Sequence, residues 1–184
     1  MIGAKIYLAL YKGKKTGKNP NALLARLSDW LTRKLTKGVY SHCEIAVMKE
    51  VFVSGHHYET EVMYECYSSS IRDGGVRCKQ IDVYDREKWD LIELEGVTEA
   101  QIKAYFDRTL GCKYDWWGAL GIVLGIKQKR SKYFCSEWCF NAICGGENGW
   151  RFSPNQLGAI FNKEKNLKES LPCTKFNSVK KRRR

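Results

Sequence analysis

The order of two hydrophobic patterns along the chain is the strongest constraint on its fold. Between residues 41 and 94, apolar and polar residues alternate in short segments that glycine-containing turns separate, which is typical of strands joined by hairpins. After residue 98 the apolar residues recur at the spacing of helices. Strands grouped ahead of helices indicate an α+β fold, and hairpin connections make its sheet antiparallel.

The same patterns, together with turn and cap residues, predict where each element lies. The predicted strands are Ala4–Tyr11, Ser41–Met48, Glu61–Tyr67, Val76–Val83 and Trp89–Leu94. The predicted helices run from Asn21 to just before Gly38 and from the N-cap Thr98 to Gly111, and shorter ones begin near Asp115, Cys135 and the Ser153-Pro154 pair.

The first predicted helix carries an apolar stripe with basic residues beside it. The stripe consists of Leu23, Leu27, Trp30, Leu31 and Leu35. Such a stripe fits either a face buried in the core or a helix that lies on anionic lipid. A buried face is the commoner case, so we expect these residues to pack in the core. Most of the six tryptophans lie in apolar periodic segments and are expected to be buried as well.

Length and composition indicate one packed domain followed by a charged tail. A chain of 184 residues, 43% of them hydrophobic, can bury a core without disulfides or metals. We assign residues 1–174 to a single domain and residues 175–184 to the tail. The basic tail residues are Lys175, Lys180, Lys181, Arg182, Arg183 and Arg184, which supply half of the net charge of +12. Such a tail attracts polyanions, so nucleic acid and an anionic membrane surface are its predicted partners.

The cysteines fit reduced thiols better than a disulfide or zinc framework. None of the eight lies in a C-x-x-C pair, and the first residues lack the basic start and apolar run of a secretory signal. The longest apolar run, Trp116 to Ile126, falls short of the ~20 residues that cross a bilayer. We therefore expect a cytoplasmic protein, of phage-encoded or bacterial type, with no metal and no cofactor.

Cys135 is the candidate nucleophile. Apolar residues at helical spacing follow it, so it is expected to lie at the N-terminus of a helix. The dipole and the unbonded N–H groups at that position lower the pKa of a thiol and can bind an oxyanion. The alternative interpretation is one more buried cysteine, which is the commoner case unless a partner is present.

His42 is the candidate partner of Cys135. It lies at the start of a predicted strand in which Ile45 and Val47 point to one face and His42 and Glu44 point to the other. A histidine at a strand end can reach a helix-borne thiol, serving first as a general base and then as an acid. The alternative is a structural histidine that is hydrogen-bonded at the strand end.

A third group is needed to orient the imidazole. Glu65, in the next predicted strand, can lie beside His42 across the hairpin, and Glu44, two residues along from His42, is the alternative. A carboxylate in mid-strand between apolar neighbours needs a partner, whereas Glu44 could reach solvent. This comparison favours Glu65.

Two motifs resemble those of the NlpC-type papain-like cell-wall peptidases. Residues 111–118 (GCKYDWWG) followed by residues 135–137 (CSE) are similar to their G-x-x-Y-x-x-x-G and C-S-[GE] segments. Residues 41–47 (SHCEIAV) are similar to their histidine strand, although Cys43-Glu44 replaces the small pair usual after the histidine. Here the histidine precedes the cysteine, an order that resembles the circularly permuted YiiX/YaeF-like branch and, more distantly, the lecithin:retinol acyltransferase relatives.

The resemblance implies a papain-like catalytic domain over residues 1–174, with the sheet packed on the Cys135 helix. It also implies Glu65 as the orienting residue and a role for Tyr114 near the oxyanion or the substrate. The predicted function is hydrolysis of an amide, with a cell-wall peptide as the first choice, or of an ester or thioester, through a Cys–His–Glu triad and an acyl-enzyme. The alternatives are a lipid acyltransferase or phospholipase that uses the same thiol, and a non-enzymatic basic module that binds nucleic acid or anionic membrane.

Overall fold

The structure is a computed structural model that describes residues 4–14, 20–52, 60–118 and 131–170. His56, His57, most of the Trp116–Ile126 run and the basic tail 175–184 lie outside these residues. The described strands are β1 (Ile6–Tyr11), β2 (His42–Phe52), β3 (Thr60–Ser70), β4 (Gly75–Gln80), β5 (Trp89–Glu93), β6 (Lys113–Tyr114) and β7 (Lys132–Tyr133). The described helices are α1 (Pro20–Thr36), α2 (Glu99–Thr109), α3 (Cys135–Cys144) and α4 (Pro154–Ser170), and residues 116–118 are also helical.

The strands form one seven-stranded sheet in the order β5-β1-β2-β3-β4-β6-β7. All neighbouring pairs are antiparallel except β6 and β7, which are parallel. The predicted α+β class is confirmed, and so are the predicted elements that lie within the described residues, with boundaries that differ by a few residues; the helix predicted to begin near Asp115 is described only at residues 116–118. β6 and β7 were not predicted, because two-residue strands carry no alternation from which to recognise them.

The two faces of the sheet have different coverings. One face packs against α2 and α3, and its cluster includes Ile45 and Tyr67 from the sheet with Ile102 and Trp138 from the helices. The opposite face holds a smaller cluster around Ala46, with Tyr64 and Trp89 among its members. Because strand side chains alternate, consecutive residues of β2 face these two environments in turn. Cys43 and Cys135 both belong to the helix-covered cluster.

The helix starts follow the cap residues in the sequence. The side-chain oxygen of Thr98 accepts a hydrogen bond from the Gln101 backbone N–H at 3.2 Å, as predicted for the start of α2. At the start of α4, Ser153 Oγ accepts from the Gln156 N–H at 3.3 Å, and Gln156 Oε1 accepts from the Ser153 N–H at 2.8 Å. This reciprocal pair is a capping box, which satisfies two amides that the helix itself leaves without partners.

The apolar stripe of α1 is exposed, contrary to the expectation of a buried face. Leu23, Leu27 and Trp30 are 61%, 58% and 59% exposed, respectively. Polar contacts hold α1 instead: Arg33 Nη2 donates to the Gly13 carbonyl at 2.5 Å and to Ser41 Oγ at 3.2 Å. Periodicity identified the helix and its apolar side, but not whether another element would cover that side. No helix in the described parts of the chain is long and apolar enough to cross a membrane.

Replacing Thr98 with alanine is expected to lower the free energy of unfolding by about 1 kcal/mol, because α2 loses its N-cap acceptor. Thr98→Ser keeps the hydroxyl and serves as the control, with a stability close to that of the original chain. Urea unfolding followed by circular dichroism measures both variants, and equal stability of the two would contradict the role of the cap.

Candidate active site

Cys135 is the first residue of α3, the position that the sequence predicts. Phe134 before it is extended, with φ −98° and ψ 168°, and its carbonyl accepts the first helical hydrogen bond from the Trp138 N–H at 3.0 Å. The N–H groups in the first turn have no carbonyl partner within the helix, and their partial positive charge favours a thiolate. Cys135 is therefore placed where a thiol is activated and where an oxyanion can be bound.

The glycine motif ahead of Cys135 has a steric role beside the start of α3. The Gly118 N–H donates to Asp115 Oδ1 at 2.9 Å, so Asp115 caps the helical residues 116–118. A Cβ at Gly118 would lie against the Asp115 carboxylate and 3.2 Å from the Phe134 ring. The Asp115 N–H in turn donates to the Tyr133 carbonyl at 3.0 Å. The motif thus packs tightly against the two residues that lead into Cys135.

His42 and Glu44 lie together on one face of β2. His42 pairs with Tyr11 and Glu44 with Ala9 across the β1–β2 ladder. His42 Nε2 lies 2.8 Å from Glu44 Oε1, and the Glu44 side chain is only 1% exposed. Since Nε2 binds the carboxylate, Nδ1 is the ring nitrogen that remains for Cys135, which lies close enough for the charge of its thiolate to raise the pKa of His42. Cys135, His42 and Glu44 therefore form a connected chain of polar groups.

The expectation that Glu65 lies beside His42 is wrong. Glu65 pairs with Val47 in the β2–β3 ladder, so its side chain shares the face of Val47 and lies on the opposite side of the sheet from His42. Its carboxylate accepts a hydrogen bond from the Tyr67 hydroxyl at 3.0 Å. Glu44, the alternative, occupies the orienting position. The prediction was wrong because the register of the hairpin decides which residues of β2 lie on the same face of the sheet as a given residue of β3.

Arg77 on β4 completes the polar group and was not recognised from the sequence. Its Nη1 donates to Glu44 Oε2 at 2.6 Å, and its Nη2 donates to Glu44 Oε1. Arg77 Nε also donates to Asp73 Oδ2 at 3.0 Å. The pattern Val76-Arg77-Cys78 offered a signal, because a cation between two apolar residues in a strand needs a buried partner. Glu44 is that partner. Its carboxylate is therefore held by His42 and by Arg77.

The electrostatics of the site favour a charged pair. Burial alone would lower the pKa of His42, but the nearby Cys135 thiolate and then the Glu44 carboxylate raise it to about 9. Burial would raise the pKa of Glu44, but Arg77 and His42 lower it to about 2. Between about pH 2 and pH 9 His42 is therefore an imidazolium and Glu44 a carboxylate, and the charge of the imidazolium stabilises the nearby sulfur as a thiolate.

Cys43 acts on Cys135 from the helix-covered face of the sheet, where both residues belong to the same cluster. A hydrogen bond from its side chain is the largest influence that holds the pKa of Cys135 well below the ordinary thiol value, ahead of the charge of His42, and burial opposes both. The backbone of Cys43 acts on the pKa of Cys135 in the same direction. Burial raises the pKa of Cys43 well above its ordinary value, so Cys43 stays protonated and can donate. In the sequence, Cys43 was visible only as a departure from the pattern of the resembled family.

Tyr114, for which the resemblance implies a role near the oxyanion or the substrate, lies close enough to Cys135 for the charge of the thiolate to act on its phenol. It is 8% exposed, and its ring contacts that of Trp116 edge-on, with 5.7 Å between centroids. Burial, followed by the charge of Cys135, raises the pKa of its phenol well above the ordinary value. The hydroxyl therefore keeps its proton and can donate a hydrogen bond to a charge that develops near the sulfur.

A cavity of about 270 Å³ opens on the His42 side of the site. His42, Glu44 and Tyr114 line it together with the hydroxyl-bearing residues Tyr11 and Ser41. Arg72, Arg77 and Lys79 contribute cationic groups to the same wall. The cavity gives a substrate access to the imidazole in surroundings that are polar and apolar in similar measure.

The comparisons with known proteins give this site no precedent: no family model, no curated protein and no solved structure matches the chain. Within the described ranges, no group of three or more His, Cys, Asp or Glu side chains could hold a metal ion.

Glu44→Gln is expected to lower the pKa of His42 from about 9, because it removes a negative charge that stabilises the imidazolium. NMR titration of histidine-labelled protein measures this pKa, with the His42 signal assigned by its loss in His42→Ala. Glu65→Gln, the same change in the neighbouring strand, is the matched control and should leave the His42 pKa in place. A shift in Glu65→Gln without one in Glu44→Gln would contradict the assignment.

Cys43→Ala is expected to raise the pKa of the Cys135 thiol, because the thiolate loses its strongest hydrogen bond. The pH dependence of alkylation of Cys135 by iodoacetamide, followed by peptide mass spectrometry, gives this pKa. Cys66→Ala removes a buried thiol from the opposite face of the sheet and is the control. An unchanged alkylation profile in Cys43→Ala would exclude Cys43 as a donor to the sulfur.

Proposed function

We propose that the protein is a papain-like cysteine hydrolase that cleaves an amide, ester or thioester through an acyl-enzyme on Cys135. The observation that carries this proposal is the series of Cys135, His42 and Glu44, in which His42 is hydrogen-bonded to Glu44 and close to Cys135, with the sulfur at the start of α3 and the carboxylate buried against Arg77. The histidine precedes the cysteine in the chain, which supports the permuted arrangement implied by the resemblance. A cell-wall peptide is the first substrate class by that resemblance alone.

In the first half of the reaction, the Cys135 thiolate attacks the carbonyl carbon of the substrate. A C–S bond forms and the carbonyl π electrons move to oxygen, where the Cys135 backbone N–H and the Tyr114 hydroxyl are the available donors. The intermediate then collapses and expels the amine, alcohol or thiol. The His42 imidazolium gives its proton to that leaving group, so the acyl-enzyme forms with His42 neutral.

In the second half, a water molecule attacks the thioester that links the acyl group to Cys135. Neutral His42 takes a proton from this water, and the tetrahedral intermediate expels the Cys135 thiolate as the carboxylic acid leaves. The imidazolium–thiolate pair is thereby restored. Throughout the cycle Glu44 keeps the imidazole oriented and stabilises its charged form, and Arg77 positions Glu44.

Transfer of a lipid acyl group through the same thiol is the second candidate. It differs only in the acceptor, an alcohol or amine in place of water. The exposed apolar side of α1 favours it, because Ser28 on the same helix lines the cavity that His42 also lines.

Cys135→Ser is expected to lower turnover of a p-nitrophenyl ester by at least about 10³-fold, since the hydroxyl has no thiolate-like reactivity in this site. Cys144→Ser, the same change at an exposed thiol, is the matched control and should keep full activity. In the active protein, iodoacetamide should label Cys135 faster than the other seven cysteines, and His42→Ala should slow that labelling.

Two results would refute the proposed chemistry. One is labelling of Cys135 that is no faster than that of the other thiols, and the other is labelling that His42→Ala leaves unchanged. Mass spectrometry of the acyl adduct on Cys135 then separates the substrate classes, with peptidoglycan peptides and phospholipid vesicles supplied in separate incubations. Hydrolysis of the peptides alone would exclude the lipid acyl candidate.

A further inference from the structure

The exposed apolar side of α1 is a continuous surface that the fold leaves uncovered. We call it the α1 surface and define it by Leu23, Leu27, Trp30 and Leu35, which are 61%, 58%, 59% and 38% exposed. Leu23, Leu27 and Trp30 follow one another at spacings of four and three residues and so lie on one side of the helix, and Leu35 adds a further exposed apolar side chain in its last turn. Large side chains grouped in this way differ from scattered exposed apolar residues, and they mark a contact surface.

Two tryptophans near the active site are exposed as well. Trp117 is 70% exposed and Trp116 is 39% exposed, contrary to the expectation that most tryptophans are buried. The Trp116 ring contacts the Tyr114 ring, and Tyr114 lines the active-site cavity together with Ser28 of α1. The α1 surface and the tryptophan pair thus both adjoin elements that border the cavity. Tryptophan has an apolar ring with a polar N–H, which suits the boundary between lipid and water.

The charges on α1 select the kind of partner. Arg26 and Lys34 are exposed, and Lys37 just after the helix is exposed as well. The acid within α1, Asp29, is 8% exposed, so the helix presents cationic groups around its apolar side. If a second copy of the chain docked on this helix, its cations would face the same cations here and repel them, in a protein whose net charge is +12. An anionic lipid surface complements both the apolar residues and the charges.

We propose that α1 docks this protein on an anionic lipid bilayer, with the α1 surface inserted at the level of the headgroups and Arg26, Lys34 and Lys37 against the lipid phosphates. Docking of this kind brings the active-site cavity close to the bilayer surface. The proposal is independent of the proposed chemistry, because none of these residues takes part in it. It predicts binding by the full chain even when Cys135 is replaced.

The test is flotation of full-length Cys135→Ser protein with vesicles. Vesicles of equal parts phosphatidylglycerol and phosphatidylcholine should carry the protein, and vesicles of phosphatidylcholine alone should carry much less. The double variant Leu27→Ser/Trp30→Ser should reduce partitioning to the anionic vesicles by about tenfold or more, because it removes two inserted side chains. The matched control is Val62→Ser/Tyr84→Ser, which changes two residues that are 52% and 66% exposed elsewhere on the molecule and should bind unchanged.

Three outcomes would overturn the proposal. Binding that survives Leu27→Ser/Trp30→Ser would assign the attraction to charge alone, since the basic tail is present in every variant. Equal loss in the control variant would show that the effect is not specific to α1. A dimer in sedimentation equilibrium that Leu27→Ser/Trp30→Ser dissociates, in protein that does not float with anionic vesicles, would assign the α1 surface to contact between copies. Circular dichroism shows whether the variants are folded, which their exposed positions lead us to expect.

Discussion

The arrangement of the site depends on the burial of one charge, the Glu44 carboxylate. A carboxylate that is 1% exposed is unfavourable unless every lone pair has a partner, and here His42 and Arg77 supply the partners. The three groups come from the start of β2 and from β4, so the sheet must form before they can meet. Removing Arg77 would leave the carboxylate with half of its partners, and removing Glu44 would leave a buried guanidinium whose remaining acid is Asp73. The geometry is therefore tied to the integrity of the sheet.

β2 serves both sides of the site because its side chains alternate. His42 and Glu44 point to the face with the cavity, while Cys43 between them points to the helix-covered face and meets Cys135. Two neighbouring residues of one strand thus act on the Cys135 sulfur, His42 through the charge of its imidazolium and Cys43 through its thiol. The sulfur also lies at the N-terminus of α3, whose dipole acts in the same direction. These effects together oppose the burial that would otherwise keep Cys135 protonated.

Much of the fold followed from local patterns. Alternation found the long strands, cap residues found the starts of α2 and α4, and helical spacing found α3 and so placed Cys135 at its first residue. The pairing of Cys135 with His42 was also predicted, because few histidines were available and one lay at a strand end. Each of these features depends on residues close together in the sequence, where backbone geometry limits the possibilities.

The sequence by itself thus determined the α+β class, the position of Cys135 at the start of α3 and the choice of His42 as the histidine close to it. Only the tertiary structure decided that Glu44 rather than Glu65 orients His42, because the register of the β2–β3 hairpin sets which face each carboxylate occupies. It alone brought Arg77 to Glu44, and it alone showed that α1 keeps its apolar side exposed. These features depend on which distant elements come to lie against one another, and periodicity within one segment carries no information about its neighbours.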